Sequence, residues 1–266
     1  MNTTYFNQKV VWITGASSGI GEELVRQLDH SGAQLILSAR NVSKLNEILS
    51  GLSQQSKHMV LKLDLENTSN VEELTNEIMQ RYGRIDVLIN NGGISQRATA
   101  HDTSMEVNRK IMEVNYFGNI ALTKAVLPIF RQQKSGQILV ISSIAGKFGF
   151  HLRSAYSASK HALFGYYESL VMEESDYGLK VTVACPGKIN TPISTNAVTG
   201  EGKAHGQMDH NQATGMPVDV CVKQLLRALE KNKHEVLIGN KELLAVHMKR
   251  FFPMLFWKLI PKQSPT

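Results

Sequence analysis

The chain of 266 residues reads as an α/β domain built on a parallel sheet, and three observations predict it. Short apolar, β-rich runs alternate with helical segments of roughly ten to fifteen residues, a pattern that implies parallel strands joined by right-handed crossovers. The first run, residues 9–14 (KVVWIT), passes directly into a glycine loop that opens a helix. Polar residues suited to chemistry gather just past the C-terminal ends of the runs, where open parallel sheets bind their ligands.

Taken in order, Gly15-Ala16-Ser17-Ser18-Gly19-Ile20-Gly21 follows the first strand and precedes a helical segment over residues 22–28. Strand, glycine loop and helix are the context of a dinucleotide-binding turn, here spaced G-x-x-x-G-x-G. Gly15 permits the tight turn, Gly19 lets the backbone approach a pyrophosphate, and Gly21 allows close packing of helix on strand. The helix N-terminus presents amides to the anion, so Ser17, Ser18 and Ile20 join the three glycines as candidate cofactor contacts. The second strand, residues 34–39, ends at Arg40-Asn41, where an acid would hold the ribose 2′-hydroxyl of NAD. No acid is present. Ser38, Arg40 and Asn41 instead suit a 2′-phosphate, because arginine offers a planar fork of donors, and NADP(H) is the expected cofactor; Arg40 can also be read as a solvated charge at a strand end.

The alternation continues with a helical segment over 42–55, an extended run over 59–63 that ends at Asp64-Leu65, and a helix over 69–82. The buried-strand run 85–89 closes on Asn90-Asn91-Gly92-Gly93. Asp64, Leu65 and Asn90 stand where the adenine and its ribose would lie, although Asp64 and Asn90 equally suit caps of the following turns. A long helical stretch over 104–133 is weakened by Asn115 and Gly118, so a local kink at Asn115 is expected. The strand 137–141 ends at Ser142-Ser143, which puts Ser143 on the same rim as the glycine loop, or makes it a simple turn residue. Thirteen residues on, Tyr156-Ser157-Ala158-Ser159-Lys160 has helical spacing, so its phenol and amine share a face. A free phenol titrates at roughly 10 and is a poor base near neutrality. A fixed cation beside it favours the phenolate, which makes the pair a candidate proton donor and acceptor.

Together, residues 14–21, Asn90-Asn91-Gly92-Gly93, Asn115, Ser143, Tyr156 to Lys160 and Pro186-Gly187 resemble the short-chain dehydrogenase/reductases over roughly residues 8 to 240. The resemblance implies a single Rossmann-like, doubly wound domain with seven parallel strands, a nicotinamide cofactor, and an oxidoreductase that interconverts a carbonyl and a secondary alcohol. It makes Tyr156 the general acid/base and has Ser143 polarise the substrate oxygen. It has Lys160 bind the nicotinamide ribose and lower the phenol's pKa, and Asn115 hold a water that links Lys160 to solvent. Ile189 is expected near the carboxamide, Thr191 near the phosphates, and assembly as a homodimer or homotetramer through the helices that carry Asn115 and Tyr156. Gly92 departs from the family's usual alanine. The alternative is a catalytically silent nucleotide sensor or scaffold on the same fold.

Past a strand over 181–185, residues 194–216 are rich in Gly, Thr, Asn, His and Ser without periodicity; with the preceding residues from 190 they are expected to form a mobile substrate lid. A helix over 218–231 and a strand over 235–238 complete the catalytic domain, 1–240. Residues 241–266 are both apolar and basic, and suit packing on the domain, on a second subunit, along the substrate pocket, or on a membrane surface. Such a tail is similar to those of the lipid- and steroid-active branch of the family and implies a hydrophobic substrate.

Composition bounds the rest. With 42% hydrophobic and 20% charged residues the chain can bury a full core. The net charge of +6 suits an anionic ligand or surface, but the charges are dispersed and no basic run interleaved with aromatics precedes the tail, so no nucleic acid partner is expected. Cys185 and Cys221 fit a reduced compartment, and none of the nine histidines has metal-ligand spacing, so no metal is expected and His205 and His210 read as loop residues. The first residues lack a signal-peptide pattern and no apolar run reaches about 18 residues, so a soluble, cytoplasmic protein is expected.

Overall fold

The computed structural model describes residues 5–262. Its elements alternate as the sequence predicts: β1 (Val10–Thr14), α1 (Gly19–Asp29), β2 (Gln34–Ala39), α2 (Val42–Ser50), β3 (Met59–Lys62), α3 (Val71–Tyr82) and β4 (Val87–Asn90). Then come α4 (Met105–Met112), α5 (Gly118–Gln133), β5 (Gly136–Ile141), α6 (Ser154–Glu173) and β6 (Leu179–Pro186). The chain closes with α7 (His210–Ala213), α8 (Val218–Glu230), β7 (Glu235–Ile238), α9 (Leu244–Phe251) and α10 (Pro253–Leu259).

The seven strands form one sheet in the order β3-β2-β1-β4-β5-β6-β7, and every pairing is parallel. The chain winds outward from β1 in one direction and from β4 in the other, so a crevice opens beyond the C-terminal ends of these two strands. Alternation along β1 supplies both faces of the sheet. Val11 and Ile13 pack with Leu24, Leu28, Leu45 and Leu225 of α1, α2 and α8. Val10 and Trp12 pack with Leu74, Val126, Leu163 and Tyr167 of α3, α5 and α6. Covering both faces with helices is what lets the strands read as continuous apolar runs.

The departures from expectation are local. The helix expected over 42–55 ends at Ser50, where Gly51 becomes its cap and a short 3₁₀ turn follows at Gln55–Lys57. The long stretch 104–133 is two helices joined by a π-turn, Glu113–Phe117, with Asn115 at its centre. The π-turn is the kink the sequence predicts: Asn119 Nδ2 donates 2.9 Å to the Asn115 carbonyl that the widened turn frees. The segment 190–216 is anchored as well as irregular. Val198 bridges Gln96 and Ala204, Ile189 bridges Met216, and Asp209 and Ser194 are buried. The tail folds back on the domain: Phe256 is buried edge-on against Phe148, with ring centroids 5.3 Å apart.

Candidate active site

The glycine loop has the backbone its sequence demands. Gly15 and Gly19 hold φ of 63° and 56°, the left-handed region in which a side chain is strained. A Cβ on Gly15 would sit 2.8 Å from the Gly92 Cα, and one on Gly21 would strike the Gly15 carbonyl. Gly21 therefore lies behind the loop as packing. Around this cradle Thr14 Oγ1 accepts the amides of Asn91 (3.0 Å) and Gly92 (2.9 Å), while Asn91 Nδ2 donates to the carbonyls of Thr14 (2.9 Å) and Gly15 (3.2 Å). The loops after β1 and β4 are thus one unit. An open backbone cradle at the head of α1 fits a pyrophosphate.

Gly92 has a local cause. A Cβ there would lie 2.5 Å from Leu65 Cδ1, so Leu65, which also walls the cavity, fills the space of the family's usual methyl.

Asn90 is a correction. It ends β4 facing the helices, and its Nδ2 donates to Thr123 Oγ1 (3.0 Å) and the Tyr167 hydroxyl (2.8 Å). Asn91, one residue on, lines the cavity instead. Ser38 borders the cavity beside Arg40, but its hydroxyl is engaged within the sheet, accepting from Trp12 Nε1 and donating to the Ile13 carbonyl, both at 3.0 Å.

The remaining predicted residues line a single cavity of about 950 Å³: Gly15, Ser17, Ser18, Gly19, Ile20, Arg40, Asn41, Asp64, Leu65, Ser143, Tyr156, Lys160, Ile189 and Thr191. At its far rim Arg40 is exposed. Asn41 Oδ1 caps α2 by accepting the Lys44 amide, and Asp64 Oδ1 accepts the Glu66 amide, each at 3.0 Å, so both side chains do act as caps at the cavity edge. Thr191 closes over the loop, its Cβ 3.2 Å from where a Cβ on Gly19 would stand. Gln212 Nε2 donates to the Ile189 carbonyl and fixes the segment between them.

At the inner end, the Tyr156 and Ser143 side chains line the same cavity, and Ser143 Oγ donates to the Pro186 carbonyl at 3.4 Å. Ser143 is set by its own turn, its Oγ accepting the Ala145 amide at 3.1 Å. Asn115 stands behind the wall, fully buried, and acts through its neighbours. Its side chain accepts the Ile94 amide (2.8 Å), donates to the Ile94 carbonyl (2.9 Å) and donates to Ser159 Oγ (3.0 Å), which in turn donates to the Tyr156 carbonyl (2.8 Å). The loop after β4 is thereby tied to the helix turn that carries the phenol.

The charge relations differ from the expected ones. Lys160 Nζ lies 5.8 Å from the Tyr156 ring centroid and donates to the Ile141 carbonyl at 2.8 Å. Burial raises the Tyr156 pKa; the Ser143 hydroxyl and the charges of Arg153 and Arg97 pull it back only in part. In this state the phenol is held neutral at pH 7, and the cations acting on it are two arginines that sequence reasoning passed over. Both meet Asp209: Arg97 Nε and Nη2 donate to Oδ2 at 2.9 and 2.5 Å, and Arg153 Nη2 at 2.9 Å. Arg97 follows β4, Arg153 precedes Tyr156 by three residues, and Asp209 belongs to the lid. Their only sequence signal was two arginines just past expected strand ends or at a helix start.

Burial lowers the Lys160 ammonium to about 8, with Cys185 opposing slightly. A folded pKa below the ordinary 10.5 means the buried cation costs stability in full below about pH 8, and the cost fades as pH rises through 10.5. Lys160→Met should therefore stabilise the protein at pH 7. The shift is worth roughly 3 kcal/mol, less about 1 kcal/mol for the lost bond to Ile141, and the gain should vanish near pH 10.5. Urea denaturation at the two pH values measures this.

The other end of the cavity is apolar, walled by Ile144, Phe148, Phe150, Met248, Phe256 and Ile260. It gives room for a hydrocarbon next to a polar reacting end.

Comparison with known proteins places this geometry. The family model described as short chain dehydrogenase matches residues 9–202. The chain is 41% identical to dehydrogenase/reductase SDR family member 7B of Mus musculus over 266 residues, covering 98% of this chain and 82% of that one. It is 37% identical to a Drosophila melanogaster SDR family protein 7-like, covering 96% and 80%. A crystal structure of a short-chain dehydrogenase from Streptomyces avermitilis superposes with a TM-score of 0.82 at 28% identity, over 97% of this chain and 98% of that one. An NAD complex of a short-chain dehydrogenase/reductase from Burkholderia phymatum shares the fold, with a TM-score of 0.81 at 20% identity over 98% of each chain. The seven-stranded parallel sheet, the cradle at α1 and the matches across nearly the whole chain have one reading: the protein belongs to the short-chain dehydrogenase/reductase family of nicotinamide-dependent oxidoreductases.

Proposed function

We propose that the protein is an NADP(H)-dependent oxidoreductase that interconverts a carbonyl and a secondary alcohol on a hydrophobic substrate. The observation that carries this reading is the Tyr156–Ser143 hydroxyl pair, set between the glycine cradle and the apolar end of one cavity. When bound, the nicotinamide supplies or accepts the hydride. Every other task falls to the chain. The cradle of Gly15 to Ile20 and the head of α1 hold the pyrophosphate, Arg40 takes the 2′-phosphate, Asp64 and Leu65 border the adenine end, and Ile189 and Thr191 close over the nicotinamide end. Lys160, which faces the cavity, binds the ribose hydroxyls; Ser143 donates to the substrate oxygen, and Tyr156 delivers the proton to it. Asn115 positions the helix turn that bears Tyr156.

The reading is tested by cofactor oxidation with a panel running from short diketones to steroids and long-chain ketones; no consumption of NADPH with any member would remove it. The cofactor preference has its own test. A charge-assisted contact from Arg40 to a phosphate is worth about 2 kcal/mol, so Arg40→Asp is expected to lower kcat/KM for NADPH relative to NADH by roughly thirtyfold. Equal efficiency with the two cofactors before substitution, or no change after it, would rule out the preference.

A further inference from the structure

The segment after β7 has two faces. Inward, Met248, Phe256 and Ile260 wall the apolar end of the cavity, and the segment is pinned at two points: Glu242 accepts the Lys188 amide at 3.0 Å, and Lys249 Nζ donates to the Lys147 carbonyl at 2.8 Å. Outward, Leu244, Phe251, Phe252, Met254, Leu255, Trp257 and Leu259 are exposed, seven of the thirteen exposed large hydrophobic side chains among the described residues. Met254 is 87% exposed and Trp257 61%. A water-soluble surface seldom leaves so dense an apolar patch uncovered.

Two further features say what covers it. Residues 241–262 carry Lys241, Lys249, Arg250, Lys258 and Lys262 against Glu242 alone, so this short segment holds +4 of the chain's net +6. Packing a second copy face to face would bring like charge against like charge, whereas an anionic surface complements it. Exposed Trp and Phe among Lys and Arg, on helices too short to span, are the composition of a segment lying in a membrane interface, and no described helix is long and apolar enough to cross a bilayer. Leu244 and Leu259 belong to both faces, for they line the cavity and are exposed, so the mouth of the apolar end borders the patch.

We propose that α9 and α10 seat the protein on an anionic membrane surface, with the cavity mouth against the lipid, so that a hydrophobic substrate passes between bilayer and active site without crossing water. The docking stands on the patch and its charge; the route of the substrate rests on the reading of the site given above.

The test uses the full chain and vesicles of phosphatidylcholine with and without phosphatidylserine. Of the two tryptophans, Trp12 is fully buried and bonded to Ser38, so a blue shift of emission on adding vesicles reports Trp257. Sedimentation with the anionic vesicles, weaker binding to the neutral ones, and the blue shift are expected. The variant Phe251→Ser/Phe252→Ser/Met254→Ser, which changes exposed side chains outside the cavity, should lose vesicle affinity by at least about tenfold. It should keep its thermal unfolding and its turnover of a short, water-soluble carbonyl, and lose turnover of a long-chain carbonyl supplied in vesicles. No sedimentation, equal binding by the variant, or a dimer abolished by the same substitutions without vesicle binding would overturn the docking. Vesicle binding with equal turnover of the vesicle-borne substrate by both proteins would overturn the route alone. Vesicle binding without turnover of any carbonyl would leave the docking in place and refute the oxidoreductase reading.

Discussion

Tyr156→Phe is expected to lower kcat for carbonyl reduction by about 10²–10⁴ while leaving the affinity for NADPH unchanged, the range that loss of a positioned proton donor produces. The substitution removes one oxygen from a buried ring and leaves the helix, the glycine cradle and Lys160 in place. Direction follows from the protonation state. Burial raises the phenol's pKa above its ordinary 10, so at neutral pH the group is a ready donor. Reduction should stay level across neutral pH and fall only as strongly alkaline solution removes the proton. Oxidation needs the phenolate and should rise with pH over the same range. Stopped-flow measurement of the chemical step in both directions gives the profiles, and a Phe variant with near-normal reduction would dismiss Tyr156 as the donor.

Asp209→Ala should loosen the lid. Arg97 and Asp209 side chains are each only 3% exposed, and breaking a buried pair by removing one partner costs about 3–5 kcal/mol because the remaining charge stays desolvated. Without its carboxylate, Arg97 keeps only neutral acceptors, Ser95 Oγ at 2.8 Å and the Gln96 carbonyl at 2.6 Å. The segment 190–216 can swing outward and let the guanidinium reach water, so the global cost is capped by the cost of that local opening. Limited proteolysis should then cleave within 194–216 at least about tenfold faster, with a smaller change in the urea midpoint. Because Arg153 shares Asp209 and stands three residues before Tyr156, the KM for the carbonyl should rise as well. Asp209→Asn, which keeps the shape and one acceptor, should fall between the two. Unchanged proteolysis in Asp209→Ala would show that the ion pairs do not hold the lid.

What the sequence disclosed and what it hid follow from the range of each interaction. The glycine loop was legible because its constraint is local: positive φ at Gly15 and Gly19, and contact between Gly21 and the Gly15 carbonyl, admit no other residue cheaply. The π-turn at Asn115 was legible for the same reason, a polar residue that weakens a helix from within. Asn90 was misassigned because one step along a strand end changes the face that a side chain meets, and the sequence of two consecutive asparagines does not reveal which turns inward. Ser38 depends on Trp12, 26 residues away on the neighbouring strand, and so on sheet register. The i, i+4 spacing of Tyr156 and Lys160 put both on one cavity, but it did not reveal the carbonyl at the end of β5 that takes the ammonium. Arg97, Arg153 and Asp209 are separated by 56 and 112 residues from one another's partners, and only the closed fold brings them together.

In the proposed reaction, hydride passes between a nicotinamide and a carbonyl carbon beside Tyr156. The most direct measurement of this transfer is mass spectrometry of the alcohol formed from a long-chain ketone and NADPH deuterated at the transferring carbon. Deuterium retained on the carbinol carbon, by the natural protein and not by Tyr156→Phe in the same time, is the expected result. Alcohol formed without the label, or no alcohol at all, would contradict it.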